Sequence, residues 1–100
     1  MELKYRQWVK QHGYDNKASA TNQCSVAVRL MAREFPELTV QVGYANGIYH
    51  CCLRDNEMNI VDPTKIQFDS PMTIEYTLIA ERFLERDEIE ISTGAIFLNN

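Results

Sequence analysis

No stretch of this chain comes near the roughly 18 consecutive apolar residues that a membrane span requires. Its ten Lys and Arg are scattered rather than gathered into a stripe, and the formal net charge is −4. Neither a membrane nor a nucleic acid is therefore expected as a partner. The N-terminal MELKYRQWVKQHG is amphipathic and lacks the apolar core of a signal peptide. Repeats, low-complexity tracts and linkers are missing, so the 100 residues read as a single domain, 1–100. Cysteine is scarce: Cys24, Cys51 and Cys52 make an odd count with two adjacent, which is no basis for a disulfide framework. Free thiols in a reducing compartment fit better, so a cytoplasmic protein is expected. No cofactor is implied.

What is present is the composition of a small globular domain, 45% hydrophobic and 24% charged. Residues 2–12 carry Leu3, Trp8 and Val9 and read as a helix that Gly13 ends. Residues 14–23, YDNKASATNQ, are polar and aperiodic and read as a loop. CSVAVRLMAREF, residues 24–35, is the clearest helix. Cys24, Ala27, Val28, Met31 and Phe35 recur at helical spacing, Thr21 and Asn22 offer capping oxygens, and Pro36 stops it. LTVQVGY (38–44) alternates as a strand does, Asn46-Gly47 signals a hairpin, and IYHCCLR (48–54) and MNIVD (58–62) read as two more strands. MTIEYTLIAERFL (72–84) reads as a helix, and residues 87–92 and 94–98 as short strands. The order predicts an α+β fold with an antiparallel sheet.

The hairpin register singles out three residues. If Asp55-Asn56-Glu57 forms a three-residue loop, His50 lies opposite Asp62 and Cys52 opposite Ile60. Directly opposite side chains share a face with Cβ atoms about 4.5–5.5 Å apart, close enough for an imidazole to meet a carboxylate. The two-residue Asn46-Gly47 turn puts Gly43 opposite His50, which leaves open space beside the ring. Cys24 opens a helix, where free N–H groups and the positive dipole end favour a thiolate. Taken singly, each has a structural explanation: a buried helix cysteine, a satisfied strand histidine, an Asp-Pro turn. Together they form nucleophile, base and orienting carboxylate. Cys24, His50 and Cys52 lack the Cys-x-x-Cys spacing of zinc sites, so no metal is expected.

This order of residues resembles the core of transglutaminase-like and papain-like cysteine enzymes, over about residues 20–68. There a helix carrying Cys packs on a small antiparallel sheet carrying His and then Asp or Asn. The VDPT around Asp62 is similar to transglutaminase-like domains, as is the twelve-residue spacing from His50. The resemblance implies a small thiol hydrolase or acyl transferase acting on amide bonds of a peptide or protein substrate. Cys24 would be the nucleophile, His50 the general base and acid, and Asp62 the orienting group. The Cys24 N–H, with Gln23 or Asn22, would hold the oxyanion. The chain departs from the family at Ser25 and Cys52, where aromatic residues are common. It departs again at Ala18, where papain-like enzymes carry an oxyanion glutamine. Those departures leave open a non-catalytic binding module on the same scaffold.

Overall fold

A computed structural model describes residues 1–82 in backbone and 1–80 in side chain. These form a small α+β domain of three α-helices and one antiparallel sheet. The helices are α1 (Leu3–Gln11), α2 (Lys17–Ala20) and α3 (Cys24–Glu34). The strands are β1 (Thr39–Ala45), β2 (Ile48–Arg54), β3 (Ile60–Val61) and β4 (Tyr76–Arg82), ordered β3-β2-β1-β4. A 3-10 turn covers Lys65–Gln67. The expected strands at 87–92 and 94–98 lie outside the described residues.

Helix α1 ends as its sequence predicts. Gly13 takes a left-handed φ of 79°, and the N–H groups of Gly13 and Tyr14 close onto the carbonyls of Lys10 and Val9. That is the paired bonding of a Schellman stop, which glycine permits without a Cβ penalty. The helix buries Tyr5 and Trp8. Tyr5 also donates its hydroxyl to Glu37 Oε2 at 2.6 Å, pinning α1 to the segment that enters β1.

The stretch read as a loop contains α2. Asn16 Oδ1 accepts the N–H groups of Ala18 and Ser19 at 2.9 and 3.3 Å, which caps one helical turn. Four residues are too few to show helical periodicity, so the turn was hidden. The expected caps of α3 behave differently too. Thr21 donates its hydroxyl back to the Lys17 carbonyl at 2.7 Å, and Asn22 takes a left-handed φ of 62°. Gln23 precedes the helix without a side-chain capping bond. The residue preceding α3 thus leaves the first-turn N–H groups around Cys24 without a side-chain cap of its own.

Strands β1 and β2 pair through the Asn46-Gly47 turn, whose positive φ values of 51° and 77° match the twist of a tight hairpin. The register places Gly43 opposite His50, as expected. One face of the hairpin buries Val40, Val42, Cys51 and Leu53 against Ala27, Val28 and Met31 of α3 and Tyr5 and Trp8 of α1. This single cluster is the core.

Residues 76–82 are strand and not helix. Tyr76, Thr77 and Ile79 suit a pleated surface, and β1 offers a free edge that the segment fills. The pairing carries a bulge between Val42 and Gly43, where Ile79 is the extra residue on β4. Gly43 is required by this contact. A Cβ there would lie 2.8 Å from Leu78 Cα and 3.1 Å from Ile79 N. The space expected beside His50 is thus filled by the backbone of β4.

Candidate active site

Strand β3 pairs with β2 as Leu53↔Val61 and Arg54↔Ile60. The loop is therefore Asp55–Asn59, two residues longer than expected. Asp55 explains the difference. Its Oδ1 accepts the N–H groups of Glu57 and Asn59, both at 2.9 Å, and its Oδ2 accepts Asn59 Nδ2 at 3.2 Å. Met58 takes a φ of 67° inside that loop, so the strand cannot begin there. His50 and Asp62 are consequently diagonal rather than opposite. A shift of two residues keeps both on one face, and their side chains span the diagonal. His50 Nε2 meets Asp62 Oδ2 at 2.9 Å, with His50 only 4% and Asp62 2% exposed.

The Asp-Pro-Thr segment fixes the carboxylate. Pro63 has no N–H to continue the ladder, and Thr64 donates its N–H back to Asp62 Oδ1 at 3.2 Å. Thr64 is fully buried, and its hydroxyl accepts Gln67 Nε2 at 2.9 Å. Gln67 Oε1 accepts the Asn22 N–H at 3.5 Å, two residues before Cys24. One side chain thus ties the turn after β3 to the approach of α3. Phe68 packs edge-on against the His50 ring, with centroids 5.0 Å apart.

The helix start brings Cys24 to the same place. The side chains of Cys51 and His50 and the Cys51 backbone lie close enough to the Cys24 sulfur to govern its ionisation. Because Asp62 occupies Nε2, Nδ1 is the ring nitrogen left for the thiol. The bond with the Cys51 side chain is the largest influence on the Cys24 thiol and lowers its pKa. Burial opposes this, while the bond and charge of His50 and the Cys51 N–H add to it. The thiol is held down at about 5. Burial, the largest influence on His50, works against the imidazolium. The hydrogen bonds and negative charges of Asp62 and Cys24 outweigh it together and push His50 up to about 9. Near neutral pH the pair rests as thiolate and imidazolium. Burial raises the Cys51 thiol, and the neighbouring Cys24 raises it further, so it stays protonated as the donor.

The expected oxyanion groups flank this centre along the chain. Gln23 is half-buried at the position preceding α3, and its carbonyl accepts the Ala27 N–H at 2.9 Å. Asn22 is exposed. The Cys24 N–H belongs to the first turn of α3, where helix geometry supplies no internal acceptor. All three cysteines are free. Among the described residues, no group of three or more His, Cys, Asp and Glu side chains is arranged to hold a metal ion, and no helix is long and apolar enough to cross a membrane.

Two participants escaped the sequence reading. Cys51 was singled out only as one of three free thiols, and it also lies beside the Cys24 sulfur. Tyr76 was placed on a helix, and from β4 it donates its hydroxyl to Asp62 Oδ2 at 2.7 Å. The β-branched Thr73, Ile74, Thr77 and Ile79 around it were the available signal for a strand. A cavity of about 530 Å³ borders the site from behind. Asp62 and Pro63 share its wall with Val9, Ile66 and Met72, whereas Cys24 and His50 do not line it. Compared with known proteins, the chain matches no family model, no curated protein and no solved structure.

Proposed function

We propose that this protein is a thiol hydrolase or acyl transferase acting on amide bonds, built on a core of the papain-like and transglutaminase-like kind. The observation that carries this reading is the buried His50–Asp62 bond of 2.9 Å, aimed at a thiol that opens a helix. Cys24 as thiolate attacks the carbonyl carbon of a peptide or protein amide. The negative charge that develops on oxygen is met by the Cys24 N–H, with Gln23 or Asn22 as the second donor. His50 gives its Nδ1 proton to the departing amine, and the C–N bond breaks. Water, or an amine in a transferase, then loses a proton to His50 and attacks the thioester. Cys24 leaves as thiolate again. Asp62 keeps His50 oriented through both halves. Three free cysteines, one of them required as a thiolate, fit a reducing compartment such as the cytoplasm.

One observation favours the alternative, a binding module on the same scaffold: the 530 Å³ cavity borders Asp62 and not the thiol. A single experiment separates the two. The protein is mixed with an activated acyl donor, such as a p-nitrophenyl ester, and followed by intact mass and peptide mapping. An enzyme gains one acyl group on Cys24 in a burst, then loses it by hydrolysis or to an added amine. Cys24→Ala and His50→Ala abolish both phases. Acylation spread over all three cysteines at one slow rate, or an adduct that never turns over, would favour the binding module.

A further inference from the structure

We propose that Tyr76 is a positioning residue of the same site, setting the orientation of Asp62 and the strength of its hold on His50 through its hydroxyl. The inference rests on the triad reading above, though not on any substrate. Asp62 Oδ2 receives two donors at once, His50 Nε2 at 2.9 Å and the Tyr76 hydroxyl at 2.7 Å. The Thr64 N–H holds the other oxygen at 3.2 Å. A carboxylate so held has little freedom to rotate away from the ring.

The delivery of Tyr76 is itself built. Asn46, the first turn residue of the β1–β2 hairpin, donates its N–H to the Glu75 carbonyl at 2.8 Å. Its Oδ1 accepts the Glu75 N–H, also at 2.8 Å. That clamp starts β4 one residue before Tyr76, which pairs with Ala45. Glycine at position 43 then lets the backbone of β4 approach β1 closely at the bulge.

The chemical effect has a definite sign. Burial and the Asp62 charge push the Tyr76 phenol upward, so it stays a neutral donor. A neutral donor draws negative charge from Oδ2 and weakens the pull of Asp62 on the imidazolium proton. The groups facing the imidazolium are Cys24 from α3 and Asp62 from the turn after β3, with Tyr76 of β4 reaching it through Asp62. Cys52 lies on the same strand, and Lys65 shares a small cavity with Asp62 and Tyr76. Of these, Tyr76 can be altered by one atom without adding or removing a charge.

The test is the titration of His50 followed by NMR on histidine-labelled protein, with His12 as the internal control. Tyr76→Phe should raise the His50 midpoint by at least half a pH unit and leave His12 in place. A site-specific 3-fluorotyrosine at position 76, a stronger donor of nearly the same shape, should lower it. A purely structural tyrosine would change thermal stability in Tyr76→Phe and leave the His50 midpoint unmoved. An unmoved His50 in the fluorotyrosine protein, or a fall in Tyr76→Phe, overturns the proposal. Because no substrate enters, loss of the acyl-enzyme result would sink the hydrolase reading without touching this one. The fluorinated protein also decides the matter if Tyr76→Phe fails to fold.

Discussion

Replacing His50 by Ala should raise the pH at which Cys24 ionises, and the structure bounds the change. The thiol lies at about 5 against an ordinary value of 9.0. At about 1.4 kcal/mol per pH unit, the site favours the thiolate by roughly 5 kcal/mol. That stabilisation has two sources besides the opposing burial, namely the Cys51 donors and the charged, hydrogen-bonded His50. Removing His50 deletes the only one carrying a full positive charge, so the midpoint should climb by at least about one unit. Iodoacetamide labelling of each cysteine across pH 4–10, read by peptide mass spectrometry, measures it.

The midpoint is the informative quantity, not the rate at one pH. A one-unit rise cuts the thiolate population about tenfold below the midpoint, yet a thiolate of higher pKa is about threefold more nucleophilic. The two effects leave only about a threefold difference in rate. The signs for turnover follow from both pKa values. Activity should appear as pH rises through about 5, when Cys24 loses its proton. It should decline as pH rises through about 9, when His50 has none left to give the leaving amine. Labelling should show the first limb without the decline. A Cys24 midpoint near 9 in the native protein, or one unmoved by His50→Ala, would refute the ion-pair argument.

Two further substitutions probe the frame. Gly43→Ala forces β4 away, because its Cβ meets three backbone atoms of Thr77, Leu78 and Ile79. Overpacking of this kind costs about 1–3 kcal/mol, and at about 4–8 °C per kcal/mol the melting temperature should fall by roughly 10 °C; a change under about 2 °C contradicts the close approach. Cys51→Ala removes a thiol donor from Cys24 and leaves its N–H, so the labelling midpoint of Cys24 should rise while circular dichroism stays native. An unchanged midpoint would mean that His50 and the helix start hold the thiolate without Cys51.

How the site was legible depends on the parity of β-structure. The loop after β2 was misjudged by two residues, because Asp55 captures the N–H groups of Glu57 and Asn59, and no local pattern announces that. Side chains alternate with a period of two, so an even error preserves faces. His50 and Asp62 stayed together, where an odd error would have separated them. Cys24 was legible because a helix start is written in local spacing. Tyr76 was not, since its segment carries both helical spacing and β-formers. The choice was made by the free edge of β1 and by Gly43, which are contacts distant in sequence. Short capped turns such as α2 fall below the length at which periodicity speaks.

The arrangement of donors explains why four separate elements must meet. At neutral pH the site buries a thiolate, an imidazolium and a carboxylate, which leaves one net negative charge out of water. Such a charge is tolerable only when hydrogen-bonded. Beside His50, neutral donors are supplied: the Cys51 N–H and thiol near the sulfur, the Tyr76 hydroxyl on Oδ2, and the Thr64 N–H on Oδ1. A lysine or arginine in any of these places would also satisfy the charge. It would, however, stabilise thiolate and carboxylate without the imidazolium, and His50 would then lose its proton at lower pH. Neutral donors leave His50 as the cation between the two anions. The proton that the leaving amine needs is therefore kept on the one nitrogen facing the thiol.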